Sequence, residues 1–319
     1  MKIKSSYFLV MSFIMIFMAS SALCEPPPPL IEDPGPLIEV QPQILIGYMF
    51  PTRASNLTIS IPGHSSIRRV EQYSKIDGVW AELVIPVKSA YPIGFTGSFG
   101  YLIPGSYQPH EVYHQKVNGI AERTWNTSTT YFNLRLSIEY NFINSFYGIL
   151  GFHYDSFMAN FLNPEKMVPN GLNFNSSQMA HINVTGGSPF GGVMYDRTFG
   201  AGANVKAYAI GYPGLPCVIS YQESVDPATD DKHFLKFDRE TSSGYFFEGF
   251  AQVTVPVWRG LSGGAFAKYD EYSAKVEGTE VNFKRSSDAN SSTSSSSTSA
   301  DVTYLRNTWI FGGVITMSF

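Results

Sequence analysis

Ten ionisable residues of this 319-residue chain occupy the polar phase of strand-length alternations: Glu82, Arg135, Glu139, His153, Asp155, Lys206, Glu248, Lys268, Asp270 and Arg306. Successive side chains of an extended chain point to opposite faces, so these groups share a face while apolar residues hold the other. Both signs occur in similar number. Two chemistries follow: opposite charges pair across an enclosed space and fill it, or they line a narrow polar passage and set its selectivity. Hydrolysis is a third, raised by the run His153, Tyr154, Asp155, Ser156. Ser156 lies three residues from His153 and faces the other way, so the two cannot act as nucleophile and base. Asp155 shares the face of His153, but the early strands hold no second acidic pair. No second His stands at ligand spacing, so neither a catalytic set nor a metal site is read.

Strands must hold these groups. Ten runs of strand length show period-two alternation, at 43–52, 78–87, 91–103, 129–142, 146–158, 192–211, 215–225, 244–258, 261–275 and 301–319. The fourth is the clearest: Phe132, Leu134, Leu136, Ile138, Tyr140 and Phe142 alternate with Asn133, Arg135, Ser137, Glu139 and Asn141. Turns are read at Lys88–Ser89, Asn144–Ser145, Pro213–Gly214 and Arg259–Gly260.

The last run ends the chain. Trp309, Phe311, Ile315, Met317 and Phe319 share one face; Arg306, Thr308, Gly312, Thr316 and Ser318 share the other. A strand that is apolar on one side, small or polar on the other, and stops on an aromatic residue resembles the closing strand of Gram-negative outer-membrane β-barrels. The resemblance implies that Trp309, Phe311, Ile315, Met317 and Phe319 form the signal read by the outer-membrane assembly machinery. At the other end, Lys2 and Lys4 precede an apolar stretch over 7–18 and the small residues Ala19, Ser20, Ser21 and Ala22, the layout of a secretory signal peptide. Cleavage is expected after Ala22 or Cys24. The stretch falls short of the ~20 residues of a membrane helix, and no second apolar run of that length follows.

The reading is therefore a signal peptide over 1–24, a proline-rich periplasmic tail over 25–42, and a barrel over 43–319. The tail holds Pro26 to Pro29 in succession, then Pro34, Pro36 and Pro42, and is expected to stay out of the sheet. The barrel is expected to be all-β, a transmembrane antiparallel up-and-down barrel of about ten strands, between eight and twelve. Connections after the even strands are a few residues long; those after the odd strands run to about eighteen or more, the asymmetry of periplasmic turns and extracellular loops. The stretch 286–299, almost wholly Ser, Thr, Asn, Asp and Ala, is expected to be disordered. The stretch 160–189 reads as a long loop, either an inward constriction or a variable surface loop, and 56–61 as a missed strand or an extension above the membrane. Cys217 is placed at the periplasmic start of the seventh strand, within reach of Cys24 on the tail.

Composition bounds the function. With 15% charged and 15% aromatic residues the chain is charge-poor and aromatic-rich, and a mean hydropathy of −0.05 suits a barrel rather than a helical membrane protein. A net charge of −4 gives no sign of a nucleic-acid partner, and two cysteines, one in the signal region, exclude a disulfide framework. Two functions are expected: a porin-like channel for small polar solutes, or a closed barrel acting as a surface antigen, an adhesin or a structural protein. An outer-membrane hydrolase is a third. The expected partners are outer-membrane lipid and lipopolysaccharide, the assembly machinery and small polar solutes, with no cofactor; the oligomeric state stays open.

Overall fold

The computed structural model describes residues 38–60, 67–74, 77–89, 92–105, 110–115, 119–167, 179–200, 202–212, 217–224, 233–240, 243–285 and 294–318. Every regular element among them is a strand: β1 (Ile38–Val40), β2 (Gln43–Ser60), β3 (Ile67–Ser74), β4 (Gly78–Ser89), β5 (Ile93–Pro104), β6 (His110–Gln115), β7 (Gly119–Ile143), β8 (Phe146–Met167), β9 (Met179–Thr198), β10 (Asn204–Tyr212), β11 (Cys217–Ser224), β12 (His233–Glu240), β13 (Ser243–Trp258), β14 (Leu261–Arg285) and β15 (Ser294–Met317).

The strands form one antiparallel sheet closed on itself, at two levels. At the turn end the ring runs β2, β4, β5, β7, β8, β9, β10, β13, β14, β15 and back to β2. At the loop end β3 and β6 take the places of β4 and β5, and β11 and β12 those of β10 and β13. Both rings therefore have ten positions. Closure leaves no strand edge facing hydrocarbon, where an unpaired backbone group has no substitute partner. The seam between last and first strands pairs Trp309 with Phe50 and Ile315 with Ile44.

Alternation decides which face looks outward. On β7 the outer side chains Leu134, Leu136, Ile138, Tyr140 and Phe142 are all exposed, while Asn133, Arg135, Ser137 and Glu139 are buried. From the half-buried Phe132 to Phe142, ten residue steps of about 3.3 Å tilted about 40° make this belt about 25 Å tall, which matches the hydrocarbon band of such barrels. Tyr269 and Trp309, with ring centroids 4.9 Å apart, mark its loop-end border, and Tyr245 and Tyr269 both donate hydroxyl hydrogens to Glu271 there. Aromatic rings with a wet polar tip suit a membrane–water boundary. At the turn end Asn144 and Gly260 take positive φ (45° and 68°), the left-handed conformation that Asn and Gly tolerate in tight turns.

Four expectations are corrected. The reversal between the sixth and seventh strands lies at Phe199–Ala203, where Gly202 has φ 77° and its N–H donates to the Phe199 carbonyl at 2.7 Å. β10 and β11 both run antiparallel to β9, against Gly191–Thr198 and Met179–Gly186, so the chain keeps its direction from one to the other. Cys217 therefore stands in the loop-end half opposite Gly186, and Cys24 lies outside the described residues. Second, much of 160–189 is strand, in β8 to Met167 and in β9 from Met179. Third, Ser294–Ser299 are strand, laddered onto Glu280–Arg285, because a partner strand supplies the hydrogen bonds that serine side chains cannot. Fourth, the proline-free Ile38–Val40 forms β1 on the rim of β4, although the tail was expected to stay out of the sheet. The extension of the first strand beyond position 56 is present as the upper part of β2. Residues 1–37 and Phe319 lie outside the described residues.

Candidate functional site: the barrel interior

All ten ionisable groups singled out above point into the barrel and are at most 7% exposed. They gather in three tiers. At the top of the belt Arg306 on β15 donates Nη1 and Nη2 to the two carboxylate oxygens of Asp155 on β8, both at 2.8 Å. Its Nε lies 3.6 Å from Asp270 on β14, which also accepts the Thr308 hydroxyl at 2.6 Å. The guanidinium is held over the Tyr131 ring at 4.3 Å, and the Tyr131 hydroxyl donates to Asp155 at 2.9 Å. A planar fork on a carboxylate with an aromatic face beneath it is an arrangement only arginine can make.

The middle tier joins five strands, β4, β7, β10, β13 and β14. Arg135 Nη1 donates to Glu248 at 2.6 Å; Lys268 Nζ lies 3.0 Å from Glu82 and 3.2 Å from Glu248. Tyr208 hydroxyl donates to Glu248 at 2.6 Å and Trp80 Nε1 donates to Glu82 at 3.1 Å. Two cations face two carboxylates, so the tier is neutral. Each charge also gains a neutral hydrogen bond or a ring face, which is what a buried ion pair requires to offset its desolvation.

The lowest tier is looser. Lys88 on β4 reaches across the mouth to Asp196 on β9 at 3.1 Å, and Glu139 accepts the Thr96 hydroxyl at 2.7 Å. Lys206, Glu139, Arg135 and Tyr208 line a cavity of about 10 Å³ between this tier and the middle one. That is room for about one water-sized occupant.

Around the tiers the interior is filled by large side chains. Trp80, Leu45, Phe250, Phe266, Ile310 and Val314 are buried between and below the charges. Above Arg306 the inner face becomes apolar: Leu57, Ile59, Phe157, Ile182, Val184, Ile219, Val276, Val302 and Tyr304 are all at most 5% exposed. These buried side chains occupy the described interior from the belt to the upper wall. His153 is 3% exposed, stacked on Phe246 at 4.4 Å, with Nε2 3.5 Å from Asp155. Ser156, on the opposite face, is equally enclosed. Both residues that invited a hydrolase reading are therefore buried, on opposite faces of β8.

The charged residues were visible in the sequence; their companions less so. Tyr131, Thr308 and Thr96 stand in the same phase as the charges, and that phase is the signal that could have added them. Which cation meets which carboxylate was not readable, because partners such as Asp155 and Arg306 are 151 positions apart.

No family model matches the sequence, and no curated protein matches it. Solved structures do. The outer-membrane protease OmpT from Escherichia coli aligns with a TM-score of 0.64 at 9% identity, over 91% of this chain and 99% of that one. The translocator domain of the autotransporter NalP from Neisseria meningitidis aligns at 0.39 with 11% identity, over 99% and 97%. A FadL homologue from Pseudomonas aeruginosa gives 0.26 at 9%, over 88% and 90%. The fold argument rests on the first. A closed ten-position ring, an apolar belt of membrane height and that likeness agree: the chain has the fold of the Gram-negative outer-membrane β-barrels.

Proposed function

We propose that this protein is a closed, non-conducting barrel of the outer membrane whose role lies in the wall and loops it holds outside the cell, as a surface antigen, adhesin or structural protein. The observation that carries the reading is the packed interior: buried ion pairs held by further hydrogen bonds and ring faces inside the belt, and an apolar core above them. Opening a passage would mean separating buried pairs, and stripping one partner from such a pair costs about 3–5 kcal/mol. Side-chain motion alone does not supply that. On this reading the signal peptide is removed after Ala22 or Cys24, lipid and lipopolysaccharide bathe the belt, and the assembly machinery reads the strand that ends at Phe319.

Single-channel recording from the full-length mature protein in planar bilayers tests the proposal. Silent bilayers, with insertion verified by protease protection, are expected. A steady conductance at moderate voltage would overturn the closed reading and favour a channel for small polar solutes. A protease or lipase activity in purified protein, lost in His153→Ala, would overturn it in favour of a hydrolase.

A further inference from the structure

One seam of the upper wall is barely closed. β13 is laddered to β14 up to the pair Ser243 and Lys275, whereas β12 meets β14 at a single position, Lys236 opposite Asn282. Both pairs belong to one register, so β12 continues the line of β13. On their other sides the two strands are laddered, β12 to β11 and β14 to β15 up to Arg285. Among the described residues, 237–240 of β12 and 276–281 of β14 therefore run beside each other without pairing.

Two features hold this ladder open. Carried across the gap, the common register sets Asp238 opposite Glu280, and like charges directly opposed destabilise a strand pair. On the β15 side of β14 a bulge lies between Val276 and Thr279, where Gly278 has φ 60° and donates its N–H to Asp301 Oδ1 at 3.0 Å. A bulge bends its strand and raises the local twist. The gap opens just past Lys275, roughly 10 Å beyond Glu271 and the belt border at the usual pitch and tilt, so both edges stand in water.

An open strand edge offers alternating N–H and C=O groups at the spacing of another strand, a row that lipid and glycan do not match. Its surroundings select a charge as well. Asp238, Glu240, Glu277, Glu280 and Asp301 lie in or beside the gap against Arg239 and Lys275, an acidic excess that complements a basic partner.

We propose that the gap between β12 and β14 is a docking site for an extended, lysine- or arginine-rich peptide segment of another protein, which displaces the Lys236–Asn282 pair and adds to the open edges as a strand. The site rests on the outer wall being the working part of the molecule. It does not rest on a shut lumen, so a conducting barrel would leave it standing.

Fluorescence anisotropy of labelled heptapeptides with the full mature chain in detergent tests the site. The probe is KVKVKVK with blocked ends; EVEVEVE controls for charge and KVKPKVK for strand formation. The probe is expected to bind, and both controls, one repelled and the other lacking a backbone donor and an extended centre, should bind at least about tenfold more weakly. Asp238→Cys with Glu280→Cys, in a chain carrying Cys24→Ser and Cys217→Ser, then separates edge from charge. Oxidation staples the gap shut and should abolish binding; dithiothreitol should restore it, because the charge is the same in both states. No binding of KVKVKVK to the wild type would overturn the site. So would a control that binds as tightly, or equal binding to the oxidised and reduced forms, since either places the peptide on acidic surface at large. Should the double variant fail to fold or to oxidise, the proline comparison on the wild type decides.

Discussion

Below and above the level of Arg306, one continuous wall answers opposite solvents. In the belt the outer face is apolar and the inner face carries charge; above it the inner face is the greasy one, with Phe157, Ile182, Val302 and Tyr304 fully buried, while Glu277 and Asp301 stand exposed outside. The phase of the strands does not change. On β15 the even positions Arg306 and Thr308 face the lumen charges, and the even positions Val302 and Tyr304 face the apolar core. On β8 Asp155 and Phe157 divide the same way. The backbone is indifferent to which face is oily; the solvent outside chooses, and the sequence changes sides at one level around the barrel.

That contrast can be broken in graded ways. The largest effect is expected from Arg306→Ala, which strands Asp155 and Asp270 without their cation and should cost about 5 kcal/mol, read as loss of refolding yield and a lower urea midpoint in micelles. Adding Asp155→Asn to that variant should recover part of the loss; a fully additive double variant would mean the two groups are not coupled. Phe157→Ala, in the upper core, should cost about 3–4 kcal/mol through the cavity it leaves. Ile138→Lys places a charge in the belt and should cost about 2–4 kcal/mol. Thr303→Glu, the same kind of change on the same outer face but above the membrane, should stay within about 0.5 kcal/mol. If the last two proved equal, the border drawn at Tyr269 and Trp309 would be misplaced. The smallest effect is pH-dependent. Partial burial holds the imidazole of His181, outside the belt, below its ordinary value. The unfolded chain therefore takes up that proton first, and stability should slip as pH falls through the usual imidazole range, with His181→Gln flattening the slope of urea midpoint against pH.

How much was legible follows from the same contrast. The belt was readable because lipid imposes large apolar residues at every second position, as over Phe132 to Phe142, and because the lumen charges would be intolerable on the other phase. The upper wall was largely not. There Ser294 to Ser299 look like a polar linker, and nothing local betrays the strand Glu280–Arg285 that organises them. The turn at Phe199–Ala203 was hidden for a different reason: alanine and glycine continue the alternation straight across it, so a reversal leaves no mark on the pattern. The interior pairings escaped because they are contacts between strands that meet only when the ring closes.

Six strands, β2, β7, β8, β9, β14 and β15, pass unbroken from the belt into the outer wall. The twelve residues of β15 from Ser294 to Leu305 rise about 30 Å beyond the level of Arg306 at the usual strand pitch and tilt. No stave ends between belt and rim, and only local bulges, such as the one between Val276 and Thr279 of β14, interrupt the ladders. Whatever touches the wall's rim meets a mast stepped in the bilayer, at a set height and a set angle, and a pull on the rim is carried straight into the membrane rather than absorbed by a flexible stalk.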